Sequence, residues 1–265
     1  MSPTATALVT ATATIAALML VTWLISLVVR DASIVDLVWG LGFVLVAWAV
    51  RITVDGNDAR QWLLVGMVTI WGLRLSGYLA WRNLGHGEDY RYRAMRKRWG
   101  SRFGLVSLVT VFALQGVLMW IVSIGVQLGQ VPRTPGLGVL AGVGVLVWAV
   151  GLGFEAIGDT QLARFKGDPA NAGTTMDRGL WRYTRHPNYF GDALVWWGIA
   201  LVATESGLGA FGLIGAAVMT LFLRRVSGVT LLEKSLVKRR AGYEDYVART
   251  SPFVPRPPRR LPPSA

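Results

Sequence analysis

Gly179-Leu180-Trp181-Arg182-Tyr183-Thr184-Arg185-His186-Pro187-Asn188-Tyr189-Phe190-Gly191 places two arginines, a histidine, an asparagine and two tyrosines at the mouth of a very apolar segment. Lipid does not tolerate such a cluster without partners, because every buried polar group left unpaired there carries a large penalty. A cationic, hydrogen-bonding box where loop meets membrane suits an anionic group such as the phosphates of a soluble cofactor. A positive-inside anchor needs only charge, not a His-Pro-Asn-Tyr order.

Working outward, the apolar runs are too long for a soluble fold. Hydrophobic residues make up 53% of the 265 and charged ones 16%, against roughly 25% charged in soluble domains. The chain reads as an all-α integral membrane protein, a single membrane domain over 1–265. A membrane helix needs about 20 apolar residues. The expected spans lie near 7–29, 34–53, 62–81, 105–128, 136–157, 189–203 and 208–226, followed by a tail over 227–265. The first run lacks the basic flank of a signal peptide and exceeds its usual apolar length, so it is read as a retained helix.

The net charge of +12 is distributed in a way that argues against nucleic acid. Seven basic residues fall between Arg82 and Arg102, five between Arg164 and Arg185, and ten between Arg224 and Arg260. Nearly neutral connections alternate with them. That is the positive-inside pattern: a multi-pass protein of the cell membrane, with the amino terminus outside, the carboxyl terminus in the cytoplasm, and anionic lipids as neighbours. Cysteine is absent and histidine occurs twice, which argues against disulfides, thiolate chemistry and a multi-histidine metal centre. The glycines 136, 138, 142, 144, 151 and 153 lack the strand before them that a nucleotide loop needs; close helix packing explains them better.

Ionisable residues inside apolar spans are functional candidates. Asp36 stands beside Trp39, and Arg74 lies between Trp71 and Tyr78. Asp36 and Arg74 are read as one buried pair, either structural or catalytic. Glu155 and Asp159 share a helix face and need cations, for which Arg182 and Arg185 are candidates. Asp192 is read as a cap of the sixth span. Glu88-Asp89-Tyr90-Arg91-Tyr92 is read either as a solvated loop or as a nucleotide contact. Glu233-Lys234, Lys238-Arg239-Arg240 and Tyr243 to Tyr246 suggest an interfacial helix or a segment closing over a cofactor held at Arg185.

The motif from Gly179 to Asp192, followed by Trp196-Trp197-Gly198, resembles bacterial membrane proteins related to the carboxyl-terminal domain of steroid 5-alpha-reductase. These are uncharacterised proteins with a distant relationship to isoprenylcysteine carboxyl methyltransferases. Ser33 to Phe43, Trp71 to Leu75, Gly87 to Tyr92, Phe154 to Asp159, Gln161 to Phe165 and Leu232 to Leu236 extend the resemblance over nearly the whole chain. It implies a steroid 5-alpha-reductase-like fold of about seven transmembrane helices. It implies an oxidoreductase that uses NADPH to reduce a carbon–carbon double bond conjugated to a carbonyl in a membrane lipid. Glu155, Asp159, Arg164, Lys166, Arg182, Arg185, His186, Asn188, Tyr189, Glu233 and Tyr246 then become the cofactor set, and Trp39, Trp71 and Arg74 the substrate set. Asp36 and Tyr78 become the catalytic candidates. The steroid reductases bind the carbonyl with a glutamate and a tyrosine; Asp36 stands near the first, while Trp71 occupies the place of the second. The Arg-His-Pro-x-Tyr order is also similar to membrane methyltransferases that use S-adenosylmethionine, but those carry Glu-Glu where this chain has Glu233-Lys234.

Overall fold

The computed structural model describes residues 1–133, 136–226, 233 and 242–259. Among these, regular structure is helical, with one isolated parallel bridge between Thr184 and Ser251. The chain divides into two compact units, Met1–Gly144 with Ile199–Gly215, and Val145–Gly198 with Ala216–Ala265.

The first unit opens with α1 (Pro3–Val29). Ser2 caps it by accepting from the Ala5 N–H, and Pro3 stands where a missing N–H costs nothing. Its buried residues, Ala7, Ala11, Ile15, Met19, Thr22 and Ser26, recur every three or four positions and form one stripe. Val9, Leu20, Leu24 and Val28 remain exposed, as on a helix apolar all round. The second expected span is broken. Val38, at φ −89° and ψ 0°, ends α2 (Ile34–Leu37) and starts α3 (Trp39–Thr53). Helix α4 (Asp58–Asn83) begins at Asn57, whose side chain accepts from the Arg60 N–H. α3 and α4 meet at two glycines: a Cβ on Gly72 would stand 2.6 Å from the Gly40 carbonyl oxygen.

α5 (Tyr90–Trp99) is capped by Asp89. The fourth expected span is also interrupted. It becomes α6 (Phe103–Ser107), a π-helical turn (Leu108–Ala113), α7 (Leu114–Val122) and α8 (Ile124–Gly129). Arg60 is fully buried and donates to the carbonyls of Gly129, at 2.8 Å, and Pro132. The end of α8 presents carbonyls without helical partners and a partial negative charge, so a guanidinium is tolerated there.

Farther along the chain, α9 (Val139–Gly167) runs well past the expected Ile157, and α10 (Pro187–Thr204) starts at the proline of the motif; most of each lies in the second unit. α11 (Gly212–Leu221) continues into a π-helical turn, Phe222–Val226. Asp192 falls inside α10 beyond its first turn, so it is not the cap expected of it. α9 and α10 touch backbone to backbone: a Cβ on Gly191 would stand 2.5 Å from both the Gly151 oxygen and the Glu155 nitrogen. Of the expected packing glycines, Gly151 fills that role, while a Cβ on Gly142 or Gly153 would meet nothing within 4 Å. Gly191→Val should therefore cost roughly 1–3 kcal/mol through overpacking, and Gly153→Val far less. Thermal unfolding of the two variants in detergent compares them directly; equal losses would contradict the crossing.

Five helices are long and apolar enough to cross a membrane: Pro3–Val29, Asp58–Asn83, Tyr90–Val122, Val139–Gly167 and Leu208–Arg225. α3 and α10, expected as the second and sixth spans, are not among them. Residues 242–259, within the expected tail, dock on the motif: the Arg185 N–H donates to the Ser251 carbonyl at 2.9 Å, the Thr184 hydroxyl to Phe253 at 2.8 Å, and the Arg256 N–H to Tyr183 at 2.9 Å. Lys234, Lys238, Arg239, Arg240 and most of the expected interfacial helix lie outside the described residues.

Candidate functional site

The motif folds from its own chemistry. Pro187 sets the first helical position of α10, and the His186 carbonyl accepts the first helical bond, from Phe190, at 3.0 Å. The preceding turn is pinned by Trp181, whose ring N–H donates to the Gly158 carbonyl at 3.0 Å, and by Tyr246, whose hydroxyl donates to the Trp181 carbonyl at 2.5 Å. Tyr246 is 2% exposed; burial, and then the neighbouring Tyr243, pushes its hydroxyl well above the ordinary tyrosine range.

Arg185 is buried within this frame. Its Nε and Nη2 grip the two Glu233 oxygens at 2.7 and 3.1 Å, and Nη1 donates to the carbonyls of Val247 and Thr250 at 2.9 and 2.6 Å. The two-pronged contact expected with phosphate is thus made to Glu233. His186 Nε2 lies 3.1 Å from Glu233 Oε1, and its ring stacks on Tyr189 at 5.4 Å and 4°. Burial works to raise the Glu233 pKa, but hydrogen bonds from His186 and Arg185 and their charges outweigh it, leaving the carboxyl below its ordinary range. A depressed folded value contributes stability above the unfolded value of about 4.3, and that stability is lost as pH falls through the folded one. Acid unfolding of wild type should therefore be steeper below about pH 4.3 than that of Glu233→Gln, followed by tryptophan fluorescence; parallel curves would contradict the contact.

Glu155 and Asp159 are buried on one face of α9, at 3% and 4% exposure. Neither arginine expected beside them is theirs: Arg182 is exposed and Arg185 belongs to Glu233. Asp159 accepts from Asn188 Nδ2 at 3.1 Å. Arg164 and Lys166 are exposed at the end of α9.

A second polar cluster lies in the first unit. Asp36 takes its cation from Arg91, not from the expected Arg74: Asp36 Oδ2 accepts from Arg91 Nη2 at 2.7 Å, and Oδ1 accepts from the Tyr92 hydroxyl at 2.9 Å. Gln115, on α7, donates through Nε2 to the Tyr92 oxygen at 3.2 Å and stands 3.5 Å from Asp36 Oδ1. Arg91 also holds Asp89 Oδ1 at 2.9 Å. Arg96 grips both Glu88 oxygens at 2.9 and 2.7 Å, and the Ala32 N–H donates to Glu88. Burial opposes ionisation of Glu88, but these bonds and charges prevail and hold its carboxyl below the usual range. The stretch from Glu88 to Tyr92 is therefore not a solvated loop: Tyr92 is buried, Glu88, Asp89 and Arg91 are half-buried, and Tyr90 is exposed.

Trp39 packs edge to face on Phe43 at 5.3 Å, and Phe43 on the fully buried Trp71 at 5.6 Å. Tyr78 lies under the guanidiniums of Arg74 and Arg82, at 5.7 and 5.6 Å. Sequence reasoning missed Tyr92 as the partner of Asp36, and it missed Gln115 altogether. A glutamine in the middle of the apolar run 105–128 was the available signal.

Apolar helices of this length and number, with charged side chains gathered in buried clusters, define a multi-pass helical membrane protein. The chain belongs to the family described as Protein of unknown function (DUF1295), whose model matches residues 22–250 and so includes both clusters. No curated protein and no solved structure matches the chain significantly.

Proposed function

We propose that the chain is a steroid 5-alpha-reductase-like enzyme of the cell membrane, with seven spans, that reduces a carbon–carbon double bond conjugated to a carbonyl in a membrane lipid with NADPH. The observation that carries this reading is the hydrogen bond from Tyr92 to Asp36. A tyrosine paired with a carboxylate in an apolar unit is the carbonyl-binding device that the resemblance calls for, supplied by Tyr92 instead of Tyr78 or a residue at Trp71. The basic blocks favour a cytoplasmic carboxyl terminus, an outer amino terminus, and contact with anionic lipids.

The residues of the motif fit a dinucleotide with one reassignment. Arg164, Lys166 and Arg182 are exposed cations suited to its phosphates. Glu155, Asp159 and Asn188 offer polar groups to ribose hydroxyls or a carboxamide. Arg185, His186, Glu233 and Tyr246 hold the loop in shape. A reduced nicotinamide, when bound, would supply the hydride. Tyr92 would donate to the carbonyl oxygen as it gains charge by turning its one hydroxyl proton away from Asp36, which stays paired with Arg91.

A second reading is a methyltransferase using S-adenosylmethionine. Its support is Glu233 resting on Arg185 and His186 of the Arg-His-Pro order shared with such enzymes. Nucleotide titrations of the protein in lipid nanodiscs, read by calorimetry, separate the two. NADPH binding in the micromolar range without S-adenosylmethionine binding is expected; the reverse would overturn the reductase reading.

A further inference from the structure

We infer that Gln115 is a second hydrogen-bond donor to the substrate carbonyl, beside Tyr92; this rests on the reductase reading. Tyr92 has one hydroxyl proton, and in this structure Asp36 Oδ1 accepts it at 2.9 Å. The Tyr92 oxygen in turn accepts from Gln115 Nε2 at 3.2 Å. The proton direction along Gln115, Tyr92 and Asp36 is therefore fixed. Tyr92 can serve a substrate only by turning away from Asp36, whereas the Gln115 amide carries two N–H groups. One is used on Tyr92. The other faces Asp36 Oδ1 at 3.5 Å, where an N–H···O bond is weak. That N–H is the donor in the cluster that can be redirected with least loss, because Arg91 is held by Asp36 and Asp89. The Gln115 Oε1 makes no hydrogen bond among the described residues, so the amide is held through its Nε2 alone.

The backbone aims this side chain. The π-helical turn Leu108–Ala113 immediately precedes α7. A π turn inserts one residue, and one residue is about 100° of rotation on an α-helix. A regular helix through this stretch would point position 115 elsewhere. A carbonyl oxygen has two lone pairs, so Tyr92 and Gln115 can be received together. Hydride from a reduced nicotinamide would add to the β carbon and leave that cofactor oxidised, the double-bond pair would move onto the carbonyl oxygen, where both donors meet the new charge, and a proton from water would then add to the α carbon. Substrates are thereby limited to those whose activating group is an unhindered carbonyl, such as an enone or a 2-enoyl ester.

A long-chain alkyl enone labelled with 13C at its carbonyl is a suitable probe, read by infrared difference spectroscopy on the full-length protein in nanodiscs. The carbonyl band should fall in frequency on binding to wild type. Part of that shift should vanish in Gln115→Met and part in Tyr92→Phe, and Gln115→Met should bind the probe about 2- to 10-fold more weakly, the size of one neutral hydrogen bond. Should Gln115→Met fail to fold, the wild-type protein still answers: the 15N-labelled side-chain amide of Gln115 should shift in the NMR spectrum on probe binding. A full band shift retained in folded Gln115→Met, or an unmoved Gln115 amide, overturns the role of Gln115 alone. A wild-type protein that leaves the band where lipid alone puts it overturns both this role and the reductase reading.

Discussion

Arg185→Ala is expected to lose about 3–5 kcal/mol of stability, because it leaves the Glu233 carboxylate, and the carbonyls of Val247 and Thr250, without their common donor. The side chains of Arg185 and Glu233 are 7% and 18% exposed, so water offers little compensation. Arg185→Lys should recover only part of the loss, since an ammonium cannot span both carboxylate oxygens. The same replacement should change nucleotide affinity mainly through the loop it unsettles. Chemical unfolding in mixed micelles reads the first effect. A stable Arg185→Ala protein whose nucleotide binding alone has weakened would return Arg185 to the phosphate role suggested by sequence.

Tyr92→Phe tests the other cluster. It keeps the ring and removes the hydroxyl that reaches Asp36. If the hydroxyl faces developing negative charge, kcat on an enone lipid should fall about 100- to 1,000-fold, the usual consequence of losing one such donor. Nucleotide affinity and the unfolding midpoint should stay near wild type. Turnover within a few-fold of wild type would remove Tyr92 from the chemistry and leave Tyr78 as the tyrosine to examine next.

Local chemistry was legible in the sequence where neighbours along the chain decide the outcome. Pro187 starting α10 and the four-residue spacing of Glu155 and Asp159 are of this kind. Apolar length also read well for α1, α4 and α9. Averaged hydropathy is blind to a single backbone angle, so the break at Val38 and the π turn at Leu108–Ala113 were invisible. Charge partners proved hardest. Asp36 and Arg91 are 55 positions apart, and Arg91 sits in a hydrophilic stretch that resembles any surface loop; Arg74, inside an apolar span, was the more conspicuous choice. The binding of residues 242–259 to the motif rests on backbone carbonyl acceptors, which side-chain identity does not advertise.

The break at Val38 leaves α3 with 15 residues, about 22 Å of helix at 1.5 Å per residue, against a hydrocarbon layer of about 30 Å. Under the seven-span reading, a helix this short does not match the slab that its longer neighbours fill, and the surrounding leaflets would thin or its flanks would reach outward. Asp36, two residues from the break, would then gain a shallow station that a full-length span would deny it. Bilayer thickness then becomes a control variable. In short-chain phosphatidylcholine the α3 region should rest unstrained, and in long-chain lipid it should be pulled inward with its charged flank, altering performance without any change of sequence.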